Sequence, residues 1–554
     1  MLYAHLLLPI LLRARHQSFL EVAIEKYRKR IERIPTRFDA NIGRHLAPRS
    51  ICAMPVEKTM TWSEYHESTK HSVESLKQAP HLLDWANMPD PFRHYEGVPV
   101  LDLPADPPTP EVPALAVLNG VSGTTPAADG VTFLSQLLFY SAAISASKRV
   151  PSTGDRYALR VNPSSGNLHP TEFHFFTRGL NEWPDGLYHY RPSSHMAEQR
   201  ALGDLNFNLA GNDNSAAVGF ALTSILWREA WKYRDRAYRY CLQDIGHAWQ
   251  ALALAAQAIG CDAFAFGHFR DDEVSQSCGL EPDEWPMLIV ELRGRSIPMG
   301  ERQACQPVWY GGHANQISTE TIAYPRIEEI HTATKLSRHS HRGISAAEPP
   351  PTGCGEIQLP FAASSQCAFG EIVRRRRSAL NFQGGIHSMS LAQLSGILSV
   401  ASRPFSSDFA GTRFIQLYLY AHRIDGLQPG VYRLWPDRAE LEQIRSGDQR
   451  VPAAGLSLGQ DLAGNACVAF SMIGDLDRAI RAHGDRGYRY VHFEAGATGH
   501  RLYLAAEAFG LAATGIGAFY DEEVHRYLNL TPMEGQVVYH FAIGYPVPDS
   551  RLSA

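Results

Sequence analysis

The chain has 554 residues, of which 44% are hydrophobic and 20% charged, and its formal net charge is −5. That balance belongs to a globular protein and excludes a disordered or fibrous one. Its slight acidity argues against a nucleic-acid surface, which the short run Arg374-Arg375-Arg376-Arg377 does not reverse. The eight cysteines show no CxxC spacing, as expected of reduced thiols in the cytoplasm.

The apolar run Leu6–Leu12 is too short to span a bilayer, and no basic residue precedes it as in a secretory signal. Residues 1–60 are expected to form a poorly packed extension. The competing reading is a membrane-surface helix with Phe19, Leu20, Ile24, Tyr27, Ile31 and Ile34 on one face. Residues 99–113, rich in proline, read as an extended segment. Asn162-Pro163-Ser164-Ser165-Gly166-Asn167-Leu168-His169-Pro170 sets small hydroxyls, an amide and a glycine in one loop. It is either an ordinary Ser/Asn turn or a set of donors and acceptors for a flat polar heterocycle.

Ile245, Trp249, Leu252, Ala256 and Ile259 fall on one helical face, and Gly260 ends that helix. Ala263 to Phe269 alternates as a strand, Asp271-Asp272-Glu273 opens a helix whose dipole favours acids, and Met287 to Leu292 reads as a closing strand. Residues 300–365 carry His331, His339, His341 and Pro349-Pro350-Pro351 with little apolar periodicity, which predicts a solvated linker rather than a metal site. Arg376, Arg377 and Ser378 at an expected helix start would make a phosphate cradle, or else a solvated basic helix. Thr514-Gly515-Ile516-Gly517 is a strand end whose glycines permit close approach of a ligand or close packing of backbone. It lacks the third glycine and the helix of a dinucleotide fingerprint.

One pattern organises the rest. Asp235-Arg-Ala-Tyr-Arg-Tyr240 recurs as Asp485-Arg-Gly-Tyr-Arg-Tyr490. Gly246, Gly260, Gly267, Phe269, Asp271, Val274, Leu280, Pro282, Gly294 and Pro298 then recur as Gly496, Gly510, Gly517, Phe519, Asp521, Val524, Leu530, Pro532, Gly544 and Pro548, an ungapped register on the sequence. A spacing this long means a duplicated domain rather than a solenoid, a covalent counterpart of a two-fold dimer. Helices and strands without strict βαβ alternation indicate α+β.

The Ser-Ser loop, the Arg-x-Ser element and the glycine strand end together resemble the nitroreductase-like FMN flavoproteins. Tyr65–His71, Leu83–Asn87, Asp90–Arg93 and Trp227–Tyr233 resemble its SagB-type, thiazoline-oxidase-like dehydrogenase branch. The resemblance implies two tandem domains, 61–299 and 366–554, each a mixed sheet flanked by helices, joined by a linker over 300–365 and paired as an intrachain pseudo-dimer. It implies FMN held by Pro163, Ser164, Ser165 and Asn167 at the ring, by Arg376 and Ser378 at the phosphate, by Gly515 and Gly517 at the strand end, and by Arg551 near the C-terminus. It further implies acid–base work by Lys232 and Tyr233, whose counterparts in the second copy are Ala482 and His483. No metal is expected.

The copies have decayed in complementary ways. The first keeps the loop, which in the second is Pro404-Phe405-Ser406-Ser407-Asp408; the second keeps Arg376-x-Ser378 and has Gly515 where the first has Ala265. Because the family shares each site between two subunits, one whole site and one FMN per chain are expected. The implied function is dehydrogenation of an azoline ring in a small molecule or modified peptide, alongside other peptide-modifying enzymes. The alternatives are an NAD(P)H-dependent nitro or quinone reductase and a flavin-free scaffold.

Overall fold

Two sheets of the same strand order make up the frame. The first runs Val308–Trp309, Met196–Leu202, Gly186–Arg191, Thr171–Thr177, Val218–Ile225, Glu284–Arg293, Asp262–Phe266, with Val100–Asp102 added beside Met196–Leu202. The second runs Ile357–Gln358, Glu440–Ser446, Gly430–Trp435, Ile415–Ala421, Val468–Gly474, Gln536–Gly544, Ala512–Ile516. Their ladders are antiparallel, and the parallel bridges Ala265–Ser407 and Ser378–Ala513 make both mixed at one edge. The computed structural model describes residues 60–78, 81–124, 127–149, 154–203, 216–301, 305–336, 347–409 and 413–553. The reading of residues before 60 as an extension, and His339 and His341, lie outside the described residues.

We label the helices α1 (Trp62–Ser68), α2 (Leu226–Tyr233), α3 (Ala237–Ala258), α4 (Asp271–Cys278), α5 (Pro325–Thr334), α6 (Phe369–Arg375), α7 (Leu476–His483), α8 (Gly487–Ala508) and α9 (Asp521–Leu528). α3 and α8, 22 residues each, are buried almost throughout and pack on one another between the sheets. A helix apolar and small-residued all round belongs in the middle of a core. At their crossing a Cβ on Gly246 would stand 2.1 Å from the Phe493 carbonyl, and one on Gly496 2.0 Å from that of Gln243. Only glycine lets the two backbones meet here.

The repeated Asp-Arg-x-Tyr-Arg-Tyr motif explains itself at this seam. Arg236 and Arg239 reach Asp521 at 3.0 Å, and Arg486 and Arg489 reach Asp271 at 2.6 and 2.7 Å. Burial alone would raise both aspartates, but the paired guanidiniums hold them below the usual carboxylate range. The acids at the starts of α4 and α9 therefore clamp the halves together as well as meeting their own helix dipoles. α1 adds a strap: Arg239 donates to the His66 carbonyl, Lys70 pairs with Glu522 at 2.6 Å, and the His71 amide donates to Asp521 at 2.9 Å.

The halves pack together as expected, Thr59–Ala554 being one compact unit. Two expectations need correction. The segment after 300 is not wholly a solvated linker: its helix α5 buries His331 against Trp285 (ring centroids 3.9 Å, 23°), and Arg489 donates to the His331 carbonyl. The repeat register also slips by one before the last strand. Arg293 faces Asp262, but Gly544 faces Ala512, so Gly294 and Gly544 are not equivalent.

Candidate active site

The loop 162–170 follows the strand Arg156–Arg160 and is held from beneath by Asp244 of α3. The Ser164 hydroxyl donates to Asp244 at 2.7 Å, and the Ser165 hydroxyl and amide donate at 3.0 and 3.1 Å. Burial raises Asp244 to about 7, against the pull of these donors. Gly166, Asn167 and His169 have φ of 61°, 61° and 51°, so the chain coils tightly and offers Gly166 outward. Asn167 donates to the Ala158 carbonyl at 3.0 Å, and His169 Nε2 lies 3.1 Å from Asn167 Oδ1. Pro163 is buried behind the turn.

Lys232 and Tyr233, at the end of α2, stand over this loop. A Cβ on Gly166 would lie 2.7 Å from Tyr233 Oη and 2.9 Å from Lys232 Nζ. Burial lowers Lys232, while Glu229 one turn earlier raises it. Glu229 is itself fully buried, and neither of its oxygens has a hydrogen-bond partner. Burial and Asp244 push its pKa well up, and Lys232 pulls it down. Burying an unpaired carboxyl is costly, and groups perturbed in this way cluster at functional sites.

From the other half comes Arg376. It caps the C-terminal end of α6 rather than starting a helix, so the expected dipole contribution is absent. It is buried and crosses the seam, donating through Nε to the Val161 carbonyl (3.1 Å) and through Nη2 to that of Arg160 (3.2 Å), at the root of the loop. Its Nη1 is buried without a partner. Tyr503 of α8 binds the cradle together: its hydroxyl lies 2.8 Å from Ser378 Oγ and accepts from the Gly515 amide at 2.9 Å, and Arg376 stands 4.9 Å over its ring. His247, His500 and Tyr539 complete the wall, with His247 Nε2 3.1 Å from Tyr539 Oη. A Cβ on Gly515 would strike Tyr539 Oη at 2.0 Å.

The structure thus joins Pro163–Asn167, Lys232, Tyr233, Arg376, Ser378 and Gly515 at one seam between the halves. Gly517 serves the seam itself: a Cβ there would strike Tyr240, and its carbonyl accepts from the Tyr240 hydroxyl at 2.9 Å. A Cβ on Gly267 would likewise strike Tyr490, and the Gly267 carbonyl accepts from Arg486 Nε at 2.7 Å. Arg551 is engaged by Asp549 at 2.8 Å, just before the segment Leu552–Ser553 that pairs with Ile144–Arg149. Arg377 donates to the Ser145 carbonyl at 2.7 Å. Sequence reasoning missed Glu229, Asp244, Tyr503, His247 and His500. Glu229 lies inside the Trp227–Tyr233 match, the one signal that could have raised it.

An FMN-type ligand fits this set. Arg376 Nη1, both nitrogens of His500, His247 Nδ1, Asn162 Oδ1 and His169 Nδ1 are buried polar atoms without partners around one place. Burial, helped by His247, Arg376 and Arg501, depresses His500 well below its ordinary value. Buried polar atoms left open in such a group are ones a polar ligand would satisfy.

The reciprocal place is filled by protein. Trp249 stands where the other half has Gly499, and packs against Phe405 (5.3 Å) and Phe409 (5.6 Å). Arg501 covers Phe405 at 3.9 Å, and Phe409 stacks on Tyr490 at 4.3 Å. The segment hydrogen-bonds along the sheet edge, Ala265 N to Ser406 O and Asp408 N to Ala265 O, both 3.0 Å. The Asp408 carboxylate takes the Gly267 and His268 amides at 2.7 and 3.1 Å. The decayed loop has become a plug.

The nitroreductase family profile matches residues 142–295 and 373–545, together more than half of the chain. A nitroreductase-type protein of Methanocaldococcus jannaschii, MJ1384, is 30% identical over 182 residues, 32% of this chain and 90% of its own. The microcin B17-processing protein McbC of Escherichia coli is 32% identical over 147 residues, 24% of this chain and 54% of its own. The crystal structure of a nitroreductase-type protein of Anabaena variabilis superposes with a TM-score of 0.70 at 26% identity, covering 88% of this chain and 99% of that one.

Proposed function

The chain belongs to the nitroreductase family, with the family domain present twice, and from that premise we propose that it is an FMN-dependent dehydrogenase with one composite flavin site, acting on azoline-type rings. The observation that carries the reading is the meeting of Lys232 and Tyr233 with Gly166 of the loop that Arg376 of the other half grips at its root. Likeness to McbC, a microcin-processing protein, supports a small-molecule or modified-peptide substrate and peptide-modifying partners.

Arg376 and Ser378 would hold the FMN phosphate and the 163–167 loop would hold the ring. Bound FMN supplies the hydride-accepting centre. The remaining work falls to this chain. Lys232 Nζ, its ammonium disfavoured by burial, accepts a proton from the ring carbon of the substrate. The Tyr233 hydroxyl beside it orients the substrate heteroatom. Asp244 fixes Ser164 and Ser165 so that the loop keeps its shape. The buried seam excludes water.

The test is flavin stoichiometry and turnover on a thiazoline-bearing peptide. About one FMN per chain, with azole formation that Lys232→Ala and Tyr233→Phe abolish while retaining flavin, supports the reading. Rapid NAD(P)H oxidation by nitro or quinone acceptors with no azole formed would replace it with a reductase. Colourless protein that FMN does not colour would replace it with a scaffold.

A further inference from the structure

The outer faces of the two sheets are treated differently. On the second sheet, Leu417 and Leu419 point into the core shared with α8, whereas Tyr418 and Tyr420 face the opposite side. The corresponding outer face of the first sheet is covered by the chain's own segment Arg93–Tyr95. Arg93 donates to Asp283 at 3.3 Å and lies 3.7 Å from Glu284. The Tyr95 amide donates to Glu198 at 3.0 Å. The Tyr95 ring sits against His174 and His189 (6.2 and 5.1 Å) with Arg200 over its face at 3.5 Å. Trp309 closes the side against Gly279.

Strand register identifies the same positions in the second half. His174 faces His189, which faces Glu198; Tyr418 faces Arg433, which faces Glu442. Pro286 faces Thr223 and Val537 faces Ile473, so counting back three residues brings Glu534 to the end of the strand where the first half has Asp283; the Glu534 carboxylate also caps Thr531, accepting from its amide and hydroxyl at 2.8 Å. The end of α9 follows with Leu528 and Leu530. Here, instead of a plug, there is a cavity of about 370 Å³, lined by Tyr418, Arg433, Glu442, Leu528, Leu530 and Glu534 among others. The segment that precedes Ile357–Gln358, as Arg93–Tyr95 precedes Val100–Asp102, passes with Gly353, Cys354 and Gly355. Gly353 lies on Trp435 and Gly355 on Leu441, and neither has a side chain to fill the hollow.

We propose that this cavity binds an extended peptide with a basic residue two positions before an aromatic one, the pattern that Arg93-His94-Tyr95 presents to the first half. Glu534 receives the cation as Asp283 does, and Glu442 receives the backbone amide as Glu198 does. The aromatic ring enters between Leu528, Leu530 and Tyr418. Arg433, over the Trp435 ring at 4.1 Å and with a buried, unpartnered Nε, supplies the cation beside that ring. Recognition is by strand-like backbone contacts plus one ring pocket. The inference stands on internal symmetry and does not rest on the flavin site, which lies on the other face of the sheet.

The experiment titrates the full-length protein into a fluorescein-labelled peptide of residues 90–97, Asp-Pro-Phe-Arg-His-Tyr-Glu-Gly, and reads fluorescence anisotropy. Saturable binding is expected. It should weaken at least tenfold in Leu530→Trp, which fills the hollow, in Glu534→Lys, and for peptides with Arg93→Ala or Tyr95→Ala. Thermal melting and flavin content of Leu530→Trp should match the parent. No saturable binding, or binding that is weakened neither by Leu530→Trp nor by Arg93→Ala or Tyr95→Ala in the peptide, overturns the proposal.

Discussion

Gly246 of α3 and Gly496 of α8 are each other's counterparts in the repeat, and each lies against the backbone of the opposite helix, where the two halves touch without side chains between them. Around that point the arginine–aspartate clamps repeat with the same symmetry. The repeat is therefore conspicuous where it serves the seam, and the proposed site lies where the copies differ.

Gly246→Ala and Gly496→Ala are each expected to destabilise the protein by about 1–3 kcal/mol, the usual cost of overpacking. A Cβ 2.0–2.1 Å from a carbonyl oxygen is relieved only by parting the helices. Chemical denaturation should show an earlier midpoint, with flavin released in the same transition. An unchanged midpoint would mean that the helices slide freely.

Arg376→Ala removes a charge-assisted contact worth roughly 1.5–3 kcal/mol, so FMN affinity should fall at least tenfold. Because the reciprocal place is filled by Phe405, Phe409 and Trp249, the parent should bind one FMN per chain at saturation. Fluorescence titration of the apoprotein measures both numbers, and two equivalent sites would refute the composite arrangement.

Lys232→Ala and Tyr233→Phe should lower turnover by about 10²–10⁴-fold, as loss of a general base does, with flavin retained. Glu229→Gln acts through Lys232. Burial lowers the lysine and Glu229 raises it, so removing the carboxyl should let it fall further. The pH dependence of Lys232 acylation, read by peptide mapping, should then shift to lower pH. An identical profile would reduce Glu229 to a packing group.

Asp244 gives a pH prediction with a definite sign. Its pKa is raised in the folded chain, from 3.8 to about 7. Its contribution to stability is therefore full below the unfolded value and is lost as pH rises through about 7. Asp244→Asn removes that dependence. The melting-temperature difference, parent minus variant, should decrease steadily from pH 4 to pH 7.5, following a loss of order 4 kcal/mol. A constant difference would show that the carboxyl is ionised throughout.

Much of this protein is local and therefore readable from its sequence alone. Glycines, turn residues and helical stripes are set by backbone sterics and periodicity, so the duplication, the α+β class and the helix-to-strand order of each copy follow without coordinates. So does the complementary loss of the Ser-Ser loop in one copy and of Arg376-x-Ser378 in the other. What only the tertiary structure decided is where polar groups end, because their partners lie far along the chain. Ser164 and Ser165 turn to Asp244, Arg376 reaches the Arg160 and Val161 carbonyls, and Gly517 packs on Tyr240. His331 is buried under Trp285. A hydrogen-bonding group removed from water takes whatever donor or acceptor the packing brings within reach, and that choice belongs to the fold as a whole, not to the residues on either side.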